Sequence, residues 1–71
     1  MLRVEINNRG EKFNIPWDEE RFSLSLKKRE VVLRFPGEIR IYQLNTIKGN
    51  TIIAGALKDI KKLGQIHERR Y

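Results

Sequence analysis

Arg34, Arg40 and Tyr42 carry the most chemistry this chain has to offer. A guanidinium fork matches phosphate oxygens and the edge of guanine, and a tyrosine ring stacks on a base or sugar. Val32 adds an apolar spot nearby, and Ser23 and Ser25 are small enough to let a polymer approach closely. The run Lys27-Lys28-Arg29 supplies three adjacent cations that grip phosphates without reading sequence. The chemistry these residues suit is reversible binding of a polyanion.

Bond-making chemistry finds little support. His67 is the one histidine, there is no cysteine, and a transition-metal site is therefore not expected. Asp18-Glu19-Glu20 is suited to capping a helical turn or pairing with nearby bases, and it lacks calcium-loop spacing. Glycine-rich phosphate loops and nucleophile elbows are absent. A catalytic cavity is hard to build in so short a chain. The expectation is a protein without cofactor or metal that is not an enzyme. Trp17 follows Pro16 in a connector and is expected to pack against the core.

Charge sharpens the same expectation. The chain of 71 residues carries 15 Lys and Arg against 9 Asp and Glu, a net +6. Residues 1–20 are net −2, residues 21–48 hold seven bases against two acids for +5, and residues 49–71 are net +3. A positive field gathered in this way favours DNA or RNA as partner. Seventy-one residues allow one domain. No apolar run approaches the roughly 20 residues needed to cross a bilayer, and the first five residues lack a signal-peptide core. A cytoplasmic protein with no membrane partner is expected.

Hydrophobic alternation predicts the elements that must position these side chains. Leu2–Ile6 and Glu11–Ile15 flank Asn7-Asn8-Arg9-Gly10 as a hairpin over residues 1–15, with Val4 opposite Phe13. Phe22–Lys27 and Glu30–Phe35 alternate strictly, and a Lys28-Arg29 turn sets Leu24 opposite Leu33. Lys-Arg is poor chemistry for so tight a turn. Pro36-Gly37 suits a type II turn. Taking Pro36-Gly37-Glu38 as a three-residue loop puts Ile39 and Ile41 on the core side and closes a three-stranded sheet over residues 22–44. That register leaves Ser23, Ser25, Val32, Arg34, Arg40 and Tyr42 on the outer face, with Arg34 opposite Arg40. Two like charges opposed on a sheet repel, and a polyanion lying across them relieves the repulsion.

Beyond Leu44 two readings compete. Ile53, Ala56, Leu57, Ile60 and Leu63 form a stripe at helical spacing, which predicts an amphipathic helix over 51–64 ending at Gly64, then a tail over 65–71. The rival is a further hairpin, Leu44–Ile47 pairing with Thr51–Ala54 across Lys48-Gly49, with a shorter helix from Gly55. On the first reading the fold is mainly β with a C-terminal helix: a two-stranded hairpin packed on a three-stranded antiparallel sheet as a small SH3-like barrel.

This layout, with the Met1–Ile6 strand and Arg9-Gly10-Glu11 in the first turn, resembles the small basic seven-kilodalton chromatin proteins of thermoacidophilic archaea. The resemblance implies a barrel that lays its triple-stranded sheet across the DNA minor groove with little sequence readout. The chain departs from that family in having no Trp or Met on the outer sheet face; only Val32, Ser23, Ser25 and the Arg pair take corresponding places. Val4 through Arg9-Gly10-Glu11-Lys12-Phe13-Asn14-Ile15-Pro16 is also similar to the swapped-hairpin regulators and antitoxins, which implies a dimeric DNA-binding protein. The helix with a Leu-Gly step that follows in that family is missing. The alternative to nucleic acid is a small regulatory factor that docks on a protein partner or a second copy, with Trp17 and its acidic neighbours as the first suspects.

Overall fold

The computed structural model describes residues 1–63. They form six strands, β1 (Arg3–Asn8), β2 (Glu11–Pro16), β3 (Phe22–Ser25), β4 (Glu30–Phe35), β5 (Glu38–Lys48) and β6 (Thr51–Lys62). All six lie in one sheet in the order β2-β1-β6-β5-β4-β3. Neighbours are antiparallel except β1 and β6, which run parallel. The described residues contain no helix. The sheet is one mixed, open sheet with β2 and β3 as its edges, which overturns the separate two- and three-stranded layers and the SH3-like barrel.

The predicted helix over 51–64 is instead β6. Lys48 pairs with Thr51, Ile47 with Ile52 and Leu44 with Ala54, so the hairpin of the rival reading forms, but the shorter helix it placed from Gly55 does not: the strand runs on to Lys62. Thr51, Ile52 and Ile53 are β-branched, which favours a pleated surface over a helix. The helical appearance of the rest has a geometric cause. Register shifts separate Ile41 from Tyr42, Tyr42 from Leu44 and Leu44 from Thr46 in the β5–β6 ladder. Each bulge breaks the alternation of two. The residues of β6 that join the core are Ile52, Ala54 and Leu57, spaced by two and then by three. A bulged strand thus imitates a helical stripe. Gly64 and the tail over 65–71, including His67, lie outside the described residues.

Turn chemistry sets the rest of the register. Arg9 and Gly10 have φ of 51° and 84°, both positive as a type I′ turn requires. The first hairpin therefore closes on two residues, with Val4 opposite Ile15 and Ile6 opposite Phe13. The second hairpin uses the four residues Leu26–Arg29, so Leu24 faces Val31 and Phe22 faces Leu33. Both slips are by two residues, so every side chain keeps its predicted face. The third turn is different. Pro36-Gly37 is a two-residue loop, with Gly37 at φ 83° as a type II turn demands, and Phe35 faces Glu38. One residue fewer in this loop inverts β5 relative to the three-residue expectation. Leu33 pairs with Arg40 and Val31 with Tyr42, while Ile39 and Ile41 turn outward opposite Arg34 and Val32.

The core joins residues from both ends of the sheet: Val4 and Ile6 of β1, Ile52 and Ala54 of β6, Tyr42 and Leu44 of β5, Val31 and Leu33 of β4, and Phe22 of β3. For β1 and β3 to share one core, the sheet must fold over its own inner face. The bulges in β5 and β6 supply that bend. At the bend the chains come close: a Cβ on buried Gly55 would lie 2.5 Å from Asn45 Nδ2. Trp17, in the connector between the two edge strands, stacks on Phe22 with centroids 5.2 Å apart and staples the fold, in line with its expected packing role.

Two substitutions test this account of the turns with opposite signs. Arg9→Asn puts at this positive φ a residue that tolerates the left-handed region and raises stability by about 0.5–1 kcal/mol. Gly37→Ala strains the type II turn and lowers it by roughly 1–2 kcal/mol. Urea denaturation midpoints of the two variants measure both shifts.

Candidate functional site

Arg34 is on the outer face with Ser23, Ser25 and Val32, as the alternation predicts, but its guanidinium is engaged within the fold. Nη1 donates to Ser23 Oγ at 2.7 Å, Nε to the Glu20 carbonyl at 3.2 Å, and Nη2 to the carbonyls of Glu19 and Phe22 at 3.3 and 3.4 Å. The Glu19 and Glu20 carbonyls belong to a hydrogen-bonded turn and the Phe22 carbonyl to the start of β3. Asp18 starts the turn, its carboxylate accepting from Glu20 N at 2.9 Å and its carbonyl from Arg21 N and Phe22 N. The acidic run thus caps a turn, and Arg34 clamps the far end of that turn against β4. With four acceptors inside the fold, Arg34 holds the β2–β3 connector in place and has little left to offer a phosphate.

Arg40 and Tyr42 leave the predicted face altogether. The two-residue turn at Pro36-Gly37 sends both inward, so Arg34 does not oppose Arg40 and the proposed arginine pair does not exist. Tyr42 is buried in the core. Arg40 lies over the Phe35 ring, 5.0 Å from its centroid, and Nε donates to Glu38 Oε2 at 2.5 Å. The other Glu38 oxygen accepts from Lys62 Nζ at 2.6 Å. Hydrogen bonds from Lys62 and then Arg40 hold the Glu38 carboxyl below its ordinary value of 4.5. A hydrogen bond with Tyr42, followed by that with Glu38, pushes Arg40 above its ordinary value.

These residues frame a groove of about 240 Å³ between the two halves of the folded sheet. Ile6, Phe13 and Ile15 of the first hairpin line one wall. Leu33, Phe35, Arg40 and Tyr42 line the other. Phe13 is inward-facing yet 48 % exposed, because the walls do not meet over it.

The outer face, stripped of Arg40 and Tyr42, is apolar at its centre. Val32 pairs with Ile41, Ile39 sits beside them, and all three are half-buried. The basic character lies elsewhere, at the Leu26–Arg29 loop. Lys27, Lys28 and Arg29 are exposed, as the sequence reading expects of a basic hairpin tip. Lys28 N donates to Ser25 Oγ at 3.2 Å, so that serine organises the loop. Arg29, at φ 57°, accepts from Leu44 N through its carbonyl and donates from Nη2 to the Asn45 carbonyl at 3.4 Å. The loop therefore sits against β5 where β4 begins, and the exposed end of β5 carries on from there to Lys48. Among the described residues no carboxylate pairs with Lys27, Lys28, Arg29 or Lys48, whereas Lys12, Lys58, Lys62 and Arg40 each have one.

Lys48 and the groove walls at Phe13 and Phe35 were not among the site residues singled out from the sequence. Lys48 immediately precedes Gly49-Asn50, and a hairpin assignment there would have placed it at a second basic tip. The groove had no sequence signal, since it exists only because the sheet folds over. Among the described residues no cluster of three acidic or imidazole side chains is placed to hold a metal, and no helix is long and apolar enough to cross a membrane. No family model, curated protein or solved structure matches the chain.

Arg34→Ala removes the clamp; the Glu19 and Glu20 carbonyls are exposed and take water, so the loss of unfolding stability is about 0.5–1.5 kcal/mol, and Arg34→Lys does not restore it because one ammonium cannot span the four acceptors. Glu38 gives a pH dependence of defined sign. Its carboxyl is held low in the folded state, so its contribution is complete above 4.5 and is lost as pH falls through the lowered value. Glu38→Gln therefore flattens the fall in urea midpoint as pH drops below 4.5, relative to the parent chain.

Proposed function

We propose that this chain is a nucleic-acid-binding module that grips phosphates with the Lys27-Lys28-Arg29 loop and with Lys48, and reads little sequence. The observation that carries the reading is the placement of these four cations. They are exposed, they have no carboxylate partner among the described residues, and the loop is tied to the strand that ends in Lys48. Asn45, whose carbonyl Arg29 contacts, and Lys48 are three residues apart on an extended strand, about 10 Å, so Lys48 is at the end of the strand that the loop is tied to. The net charge of +6 adds a long-range attraction toward the same class of partner. Lys and Arg contacts to phosphate fix position without discriminating bases.

This reading differs from the sequence expectation in which surface does the work. A sheet face built on Arg34, Arg40 and Tyr42 has no place in the fold, because one arginine is a clamp and the other two side chains point inward. Val32 and Ser23 remain on the outer face, whose apolar centre at Val32, Ile39 and Ile41 favours the second reading, a protein-docking surface.

Salt dependence separates the two. Four phosphate contacts give a plot of log affinity against log salt with a slope of about −3 to −4. The triple variant Lys27→Gln, Lys28→Gln, Lys48→Gln leaves Arg29 and its turn intact and makes the slope shallower by about 2 to 3 units. Binding by the triple variant with the slope of the parent chain contradicts the assignment. Failure of the parent to bind duplex, single-stranded DNA or RNA at low salt leaves the protein-docking reading in its place.

A further inference from the structure

Building on the nucleic-acid reading, we propose that the groove between the first hairpin and β4–β5 is a seat for one unpaired nucleobase of a single strand, with Arg40 and Lys62 at its mouth holding the flanking phosphate. The size and the lining favour a small ring. A groove of about 240 Å³ falls below the roughly 300–1,000 Å³ usual for drug-sized ligands. Its walls carry Phe13 on one side and Phe35 on the other, and these are the surfaces on which unpaired bases stack.

Phe13 argues that the groove is open to a partner. It occupies an inward position opposite Ile6, where a side chain of this size is ordinarily covered, yet it stays 48 % exposed. Its strand, β2, is an edge of the sheet, so a strand of nucleic acid reaches the ring without displacing any other element. Phe13 is also absent from the buried cluster that holds the fold together, and its ring is available for stacking at little structural cost.

Charge complementarity selects an anionic ligand over a neutral aromatic one. Glu38 is shared by Arg40 and Lys62, two cations against one carboxylate, so the cluster keeps one positive charge beside the apolar walls. Arg40 spends Nε on Glu38, and its guanidinium lies over Phe35, where it also offers a cationic plane to a stacked base. A paired base inside a duplex presents no free face to such a groove, so the site discriminates single strands from duplex even though the basic loop does not.

The test uses the full chain, a short fluorescently labelled single-stranded DNA, and a duplex of the same length. The parent binds the single strand more tightly than the duplex. Phe13→Ala weakens single-strand binding by roughly 5- to 100-fold, the range for loss of one base–aromatic stack, and leaves duplex binding unchanged. Phe13→Trp retains the single-strand affinity, and unaltered urea midpoints show that both variants remain folded. Single-strand affinity that survives Phe13→Ala, or an equal loss on both polymers, overturns the groove assignment. If the lysine-to-glutamine triple variant still loses binding in that case, the basic-loop reading stands alone; if the parent binds neither polymer, both fall together.

Discussion

The described residues hold no helix to lay over the sheet, so the sheet buries its own apolar face, and that constraint organises residues 1–63. Flat, six strands would leave Val4, Ile6, Phe22, Val31 and Leu33 in water; folded over, the sheet buries them in one core. The fold needs strands long enough to belong to both halves and bent enough to turn between them. β5 and β6, with 11 and 12 residues, are those strands, and three register irregularities concentrate the bend in the middle of their ladder. At the bend the Asn45 side chain lies close over Gly55. Trp17 against Phe22 ties the outer elements once the fold has closed.

That constraint explains which parts of the fold were legible. The alternation of Val4 and Ile6, of Phe22 and Leu24, and of Val31 and Leu33 reports directly on the inner face, and these strands were assigned correctly from the residues alone. Their turns slipped by two, which leaves faces unaltered. At Pro36-Gly37 two signals conflicted. The turn chemistry asked for two residues, and the wish to bury Ile39 and Ile41 asked for three. The turn wins because Tyr42 and Leu44 fill the core in their place. Ile39 and Ile41 then remain half-buried outside. The β6 helix was misread for a related reason: bulges that exist only because of the tertiary bend erased the period of two.

The candidate site follows from the same inversion. Turning β5 over removes the arginine pair from the outer face, commits Arg34 to three backbone carbonyls and a serine, and brings Arg40 onto Phe35 at the lip of a groove. The charge excess that composition reports is real, and its densest accessible part is the run Lys27-Lys28-Arg29, while Arg9, Arg21 and Lys61 are exposed elsewhere. The three lysine and arginine residues of the loop were visible in the sequence. Their proximity to Lys48 was not, because it depends on where β4 begins along β5.

The most direct test of the account is amide chemical-shift mapping of the full chain titrated with a short single-stranded DNA at low salt. The account predicts saturable shifts at Lys27, Lys28, Arg29 and Lys48, with a second set at Phe13 and Arg40 across the groove. Shifts confined to Val32, Ile39 and Ile41, or no saturable change at any residue, contradict it.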